Sequence, residues 1–349
     1  MAQTSQRPLS NMELSSFCEQ IALILKSGIS SLEGITIMSE EAREGEEKTL
    51  LLQILEQLNE TGSLCESLRS TGVYPDYMLQ MVQIGEETGT LDEVMESLSC
   101  HYEREENISR TIKSAITYPL IMAGMMLIVI LVLLVEVMPI FNQVYVQLGT
   151  EMTGFSRVLM NIGSAINRYS VVLVVIVALL ALFALYATRT EKGRAMSRGL
   201  AYRFNFTRKI FEEIAASRFA SGMALTLSSG LDPDHSMELV TALNDDPDFA
   251  KKLDSCKEKM SEGTDLSDAL YETEIFGGVY ARMASIGSKT GSMEQVMDRI
   301  ADLYQDDIDT RMNNILAALE PTMVIVLSLI VGVILLSVML PLMGIISSI

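Results

Sequence analysis

Gly85-Glu86-Glu87-Thr88-Gly89-Thr90-Leu91 returns as Gly287-Ser288-Lys289-Thr290-Gly291-Ser292-Met293, an offset of 202 residues. Working outward, the same offset relates Gly28 to Gly230, Pro119 to Pro321 and Pro139 to Pro341. The apolar pairs Phe17/Phe219, Leu25/Leu227, Leu64/Leu266, Leu68/Leu270 and Met81/Met283 keep that register. A segment from about Phe17 to Pro139 therefore recurs from about Phe219 to Pro341. Such a period is far longer than a solenoid repeat, so each copy is expected to hold a folding unit of ordinary domain size.

Each copy reads as all-α. Ser10 with Glu13, Ser30 with Glu33, Ser63 with Glu66 and Thr90 with Glu93 have capping-box spacing, in which hydroxyl and carboxylate satisfy each other's orphan amides; Ser292 with Gln295 repeats the last. Asp232-Pro233 and Tyr74-Pro75 mark further helix starts, because proline suits the first helical position. Gly28 and Gly230 are placed to end the first helix of each copy. Phe17, Ile21, Ile24 and Leu25, and in the second copy Phe219, Met223 and Leu227, fall on one helical face. The pattern predicts a bundle of five or six helices of roughly 12 to 16 residues per copy. Gly85 and Gly89 are read as the turn between two helices, with Glu86 and Glu87 capping the helix that follows.

The chain is 49% hydrophobic, and its uncharged apolar residues gather in three runs: 114 to 135, 169 to 188, and 321 to the C-terminus. Roughly 20 helical residues cross a bilayer core, so three transmembrane helices are expected. Arg189, Lys192, Arg194, Arg198, Arg203, Arg208 and Lys209 follow the second run, whereas the segment before it holds only Arg157 and Arg168. Basic residues stay in the cytoplasm. The expected organisation is a cytoplasmic bundle over 1–113, a first span over 114–138, an extracytoplasmic loop over 139–168 and a second span over 169–188. A cytoplasmic basic linker with the second bundle over 189–320, and a third span over 321–346, complete it. The N-terminus is then cytoplasmic and the C-terminus extracytoplasmic. The start of the chain shows no cleavable signal pattern. The last helix of each copy is expected to run into its span, kinked at Pro119 or Pro321, with Pro139 and Pro341 closing the spans.

Net charge is −19. It is concentrated in the copies, with 20 acidic against 8 basic side chains in 1–118 and 22 against 9 in 212–320. Such surfaces repel nucleic acid directly; they either solvate helix faces or dock basic partners. Cys18, Cys65, Cys100 and Cys256 have no paired spacing and read as small buried residues, not as a disulfide or metal framework. His101 and His235 read as surface or helix-end residues. Glu86, Glu87 and Glu93 are the weak metal candidates. Around Pro247, Asp245, Asp246 and Asp248 look like a helix start and lack the alternating ligands of a calcium loop.

Residues 17–28, the Gly85 to Leu91 stretch, Tyr118-Pro119, Val137-Met138-Pro139-Ile140-Phe141 and their echoes in the second half are together similar to the polytopic inner-membrane platform proteins of type IV pili and type II secretion systems, the GspF/PilC family. The resemblance covers nearly the whole chain. It implies an integral membrane protein with two homologous cytoplasmic helical bundles and three transmembrane helices, without catalytic residues or cofactor. It also implies partners: further copies of itself, a cytoplasmic hexameric ATPase, pilin or pseudopilin subunits, other inner-membrane assembly proteins and membrane lipid. The compact length is similar to members from competence-type systems. Whether such a machine builds pili, secretes protein or imports DNA stays open, as does the oligomer number. Gly28, Gly85, Glu86, Gly89, Pro119, Pro139, Gly230, Gly287, Gly291, Pro321 and Pro341 carry the motif. Ser288 stands where the family usually has a glutamate, which puts that acid's role in the second copy in question.

Two other classes weigh less. Gly287-Ser288-Lys289-Thr290 lacks the preceding glycine and strand of a phosphate loop, and no aspartate lies in the spans to serve a peptidase. An oligomeric transporter or channel subunit remains the alternative, although spans two and three hold no charge for a midplane site.

Overall fold

A computed structural model describes residues 7–147, 205–244 and 246–346, which are helical with short connections and contain no strand among the described residues. Repeat 1 comprises α1 (Asn11–Lys26), α2 (Ser31–Glu41), α3 (Glu46–Thr61), α4 (Leu64–Thr71), α5 (Asp76–Thr88) and the long α6 (Leu91–Val132). A π-helical turn, Leu133–Val137, and α7 (Met138–Gln147) continue it. Repeat 2 comprises α8 (Asn205–Ser228), α9 (Pro233–Thr241), α10 (Pro247–Ser261), α11 (Leu266–Glu272), α12 (Gly278–Thr290) and α13 (Met293–Ile346). Six helices per copy match the periodicity, but α4, α9 and α11 are only 8, 9 and 7 residues long, shorter than expected. The segment 169–188, assigned to the second span, lies outside the described residues, as do 148–168 and 189–204.

Local chemistry sets these boundaries. Ser10 and Glu13 form the reciprocal capping box, and Ser30 and Ser63 accept from the amides of Glu33 and Glu66. Asp232 and Asp246 each cap a helix whose first residue is proline. Pro75 is itself the cap of α5, one position earlier than its sequence signal implied. Gly28 and Gly230 take φ of +78° and +81° just past α1 and α8. There the following amides reach back, Ile29 to the Ile24 carbonyl at 3.3 Å and Leu231 to the Thr226 carbonyl at 3.2 Å, which satisfies carbonyls the helix end leaves free.

One compact unit is formed by residues 1–110 with 209–309. Its first core is aliphatic, built on Leu14, Ile21, Ile35, Ile54, Leu68 and Met78. The second core packs Phe219 against Phe249 and Phe276, with ring centroids 6.1 and 5.8 Å apart. Cys18, Cys65 and Cys256 are buried as expected, whereas Cys100 is exposed on α6. The other unit, 111–208 with 310–349, takes in the apolar parts of α6 and α13. Leu91–Val137 and Met293–Leu336 are long and apolar enough to cross a membrane. Their apolar stretches carry exposed side chains such as Leu120 and Leu329, the distribution of helices that face lipid rather than a protein core.

Pro139 and Pro341 follow the apolar stretches that end at Val137 and Leu336, and the helical backbone continues past both: Pro139 is the second residue of α7, and Pro341 lies inside α13. The ring of a helical proline clashes with the carbonyl four residues earlier, here that of Val135, and the π turn over Leu133–Val137 widens the backbone at that carbonyl. The helices likewise run through Pro119 and Pro321 without interruption.

The glycine pair also divides its labour differently. Gly89 and Gly291 make the turns, with φ of +75° and +72°, while Gly85 and Gly287 lie inside α5 and α12. A Cβ on Gly85 would sit 3.0 Å from both Leu91 Cα and Val94 Cγ2; on Gly287 it would sit 2.9 Å from Val296 Cγ2. These glycines let the long helix cross directly over its predecessor. Two different sensitivities follow. Gly85→Ala and Gly85→Asn should both destabilise the detergent-solubilised chain through overpacking, by about 1–3 kcal/mol, read as a lower thermal midpoint. At Gly89 no atom lies within 4 Å of the added Cβ, so Gly89→Ala should cost only about 1 kcal/mol of left-handed strain and Gly89→Asn less. Equal tolerance of asparagine at both positions would contradict this division.

Candidate functional site

Glu86, the acid of the repeated motif, sits on the last turn of α5 and reaches back to the start of α4. It accepts from Ser63 Oγ at 2.7 Å and from the amides of Leu64 and Cys65, the latter at 3.2 Å. An ionised carboxylate suits a helix N-terminus, where unpaired amides converge. Glu86 therefore caps the preceding short helix and not the one that follows. Of the other acids of this group, Glu87 accepts from Gln83 Nε2 at 2.9 Å and Glu93 is exposed, and no three metal-ligating side chains gather among the described residues. A cleft of about 630 Å³ opens beside this tie, lined by Leu25, Ser31, Ser63, Glu86, Leu91 and Asp92.

Repeat 2 keeps the tie with the partners exchanged. Asp265 occupies the position of Ser63, and Ser288 that of Glu86. Asp265 caps α11 by accepting from the Ser267 amide at 3.1 Å and from Ser267 Oγ at 2.8 Å, and Ser288 Oγ donates to it at 2.9 Å. The hydroxyls of Ser267 and Ser288 hold the Asp265 carboxyl below the usual carboxylate range. The missing glutamate is thus compensated 23 residues earlier. Thr88 with Thr90 and Thr290 with Ser292 pair their hydroxyls at 2.7 Å across both glycine turns.

The two repeats meet through α6 of the first and α8 and α13 of the second. Arg104, largely buried, places Nη2 2.6 Å from Asp298 Oδ1 and 2.9 Å from Asp302 Oδ1. Arg218 forms a two-pronged pair with Glu105, both contacts at 2.7 Å, the geometry that makes arginine pairs directional. Leu225 of α8 completes the core of repeat 1. His101 is buried here and not on the surface: its Nδ1 lies 3.1 Å from Ser221 Oγ, and its ring packs 5.6 Å from Tyr77 and 5.3 Å from Tyr102. Burial pushes its pKa down to about 4 against the opposing pull of Glu105. His235, by contrast, is exposed at the start of α9.

Gly85, Glu86 and Gly89 fall together at one helix end, and Gly287 and Gly291 at its counterpart; Pro119, Pro139, Pro321 and Pro341 lie in the unit of apolar helices. The junction residues Arg104, Glu105, Arg218, Ser221 and Asp298 were not singled out by sequence. Their signal was present in the places where the copies disagree, since Arg104 matches Asp306, Arg218 matches Ser16 and His101 matches Leu303.

The duplicated segment has counterparts among known proteins. Residues 17–139 and 219–341 each match the family described as type II secretion system (T2SS), protein F. The chain belongs to this family. It is 24% identical to the type IV pilus assembly protein PilC of Pseudomonas aeruginosa over 95% of this chain and 89% of that one. It is 25% identical to the PilC of Thermus thermophilus over 96% and 83%. It is 23% identical to the type II secretion system protein F of Aeromonas hydrophila over 97% and 87%. The two family matches begin at Phe17 and Phe219 and end at Pro139 and Pro341, the limits of the internal repeat.

Two measurements probe the site. Glu86→Ser should destabilise repeat 1 by about 0.5–2 kcal/mol through loss of the cap. Adding Ser63→Asp should recover most of it by installing the arrangement of repeat 2, whereas Ser63→Asp alone should destabilise by opposing Glu86. Non-additivity in a double-mutant cycle is the readout. For His101 the folded pKa lies below its ordinary 6.5. Between about pH 6.5 and 4 the unfolded chain binds the proton and the folded chain does not, so this stability is present above pH 6.5 and is lost as pH falls to 4. The full span is worth up to about 3 kcal/mol, and His101→Gln should flatten that part of the difference in unfolding free energy against pH.

Proposed function

We propose that this chain is the inner-membrane platform of a type IV pilus, type II secretion or competence pseudopilus machine, and that it couples a cytoplasmic hexameric ATPase to the assembly of pilin-like subunits. The observation that carries this reading is that each protein F domain ends in a long helix, α6 or α13, continuing into an exposed apolar stretch of membrane-spanning length. Relatives covered over most of their length are named for pilus assembly and for type II secretion. In this reading both bundles are cytoplasmic, three helices span the membrane, and the C-terminus is extracytoplasmic. The protein assembles with copies of itself, the ATPase, pilins or pseudopilins and other inner-membrane assembly proteins. Its role is mechanical and not catalytic.

Gentle solubilisation of tagged protein from cross-linked native cells, followed by mass spectrometry, tests the role. A hexameric secretion ATPase with pilin-like subunits is expected; recovery of the chain alone, or with carrier or signalling subunits, sinks the platform reading. Exposed Cys100 reports orientation. A membrane-impermeant maleimide should leave it unlabelled in intact spheroplasts and label it in inverted vesicles.

A further inference from the structure

The repeats pair head to tail. The outer face of the last helix of repeat 1, with His101, Arg104 and Glu105, rests on the outer face of the first helix of repeat 2, with Arg218, Ser221 and Leu225, a stripe that Ile214 begins. The matching face of α1 in repeat 1 is Met12, Ser16, Glu19 and Leu23, spaced by four, three and four residues and hence one helical stripe. In repeat 2 the apolar ends of this stripe are covered, Ile214 being 5% and Leu225 2% exposed. In repeat 1 they are bare: Met12 is 58% and Leu23 68% exposed. A heterologous interface of this kind always leaves one copy of each surface free.

The covered example indicates what the bare one accepts. On repeat 2 the occupant is an amphipathic helix whose arginine, Arg104, is received by Asp298. On repeat 1 the position of Asp298 is Glu96, which Lys26 at the end of α1 already pairs at 2.5 Å, and Ser221 is replaced by Glu19, so the acid this face adds is Glu19. We propose that the Met12–Leu23 face of α1 is a docking surface for an amphipathic helix of another protein, one that carries arginine or lysine beside apolar anchors. A second copy of this chain suits it poorly. The equivalent face on α13 offers Leu303 and the exposed Asp306, beside Asp307 held by the Tyr280 hydroxyl, which would set carboxylate against Glu19. The inference rests on the platform reading only in supposing that the protein works among partners.

Incorporating p-benzoylphenylalanine at Leu23 in the full-length chain in its native host, irradiating, and sequencing the cross-linked peptide tests it. The expected adduct is a peptide of another protein with a basic residue one turn from apolar ones. Glu19→Arg should lower its yield severalfold and Glu19→Gln less, with the unfolding midpoint unchanged. No adduct, an adduct to lipid, to residues 303–310 of a second copy, or to the basic segment 189–204 overturns the proposal, as does a yield indifferent to Glu19→Arg. The two readings fail separately. Absence of the Leu23 adduct while ATPase and pilins are still recovered removes the surface and leaves the platform; a basic helix from a carrier subunit does the reverse.

Discussion

The structure depends on a missing side chain. Gly85 in α5 and Gly287 in α12 face the first turn of the helix that follows, and a Cβ at either position would come within 3.0 Å of that helix. With only hydrogen there, α6 and α13 can leave a two-residue turn and cross immediately over the preceding helix, burying Val94, Met95 and Leu98 in one copy and Met297, Ile300 and Ala301 in the other. The left-handed glycines Gly89 and Gly291 supply the reversal but not the proximity. Sequence treats each pair of glycines as one turn. The structure separates a conformational requirement, met by backbone freedom, from a packing requirement, met by absent volume.

Around that crossing the copies conserve an interaction while exchanging its atoms. Both short helices, α4 and α11, need an acceptor for their first-turn amides because helices of eight and seven residues have little internal hydrogen bonding to spare. Repeat 1 supplements its own cap, Ser63, with an acceptor from the neighbouring helix, Glu86; repeat 2 takes its acceptor from its own cap, Asp265, and ties the neighbour in through Ser288. A carboxylate and a hydroxyl are needed at the pair, and which helix carries which is immaterial to the cap. This explains why the absence of glutamate from the second motif leaves the fold intact.

Much of the architecture was legible because it rests on periodicity and on local signals. The 202-residue register, the Ser10 capping box, the Gly28 and Gly230 ends and the Asp232-Pro233 start each involve residues a few positions apart, and a short-range rule can read them. What was misread depends on distance. His101 looked like a surface residue because nothing near it in sequence reveals that Ser221, 120 residues on, lies against it. Glu86 looked like a cap for the helix ahead because its true partner, Ser63, lies 23 residues behind. The π turn that carries the helix through to Pro139 has no reliable sequence mark, so the continuation as α7 was not foreseen. A comparison of the copies position by position, searching for differences, would have located the junction.

Those differences carry the strongest functional information in the chain. Two identical bundles joined head to tail would present complementary surfaces at their two ends and could add further copies without limit. Here the surfaces that meet are marked by Arg104, Glu105 and Arg218, which form their pairs at the junction. The matched positions at the free ends are Asp306, Asp307 and Ser16, among which no cation remains. Asp306 at one free end and Glu19 beside Ser16 at the other would oppose repetition of the internal contact. The net charge of −19 thus includes carboxylates, Asp306 and Glu19, whose placement would oppose a second contact of the same kind.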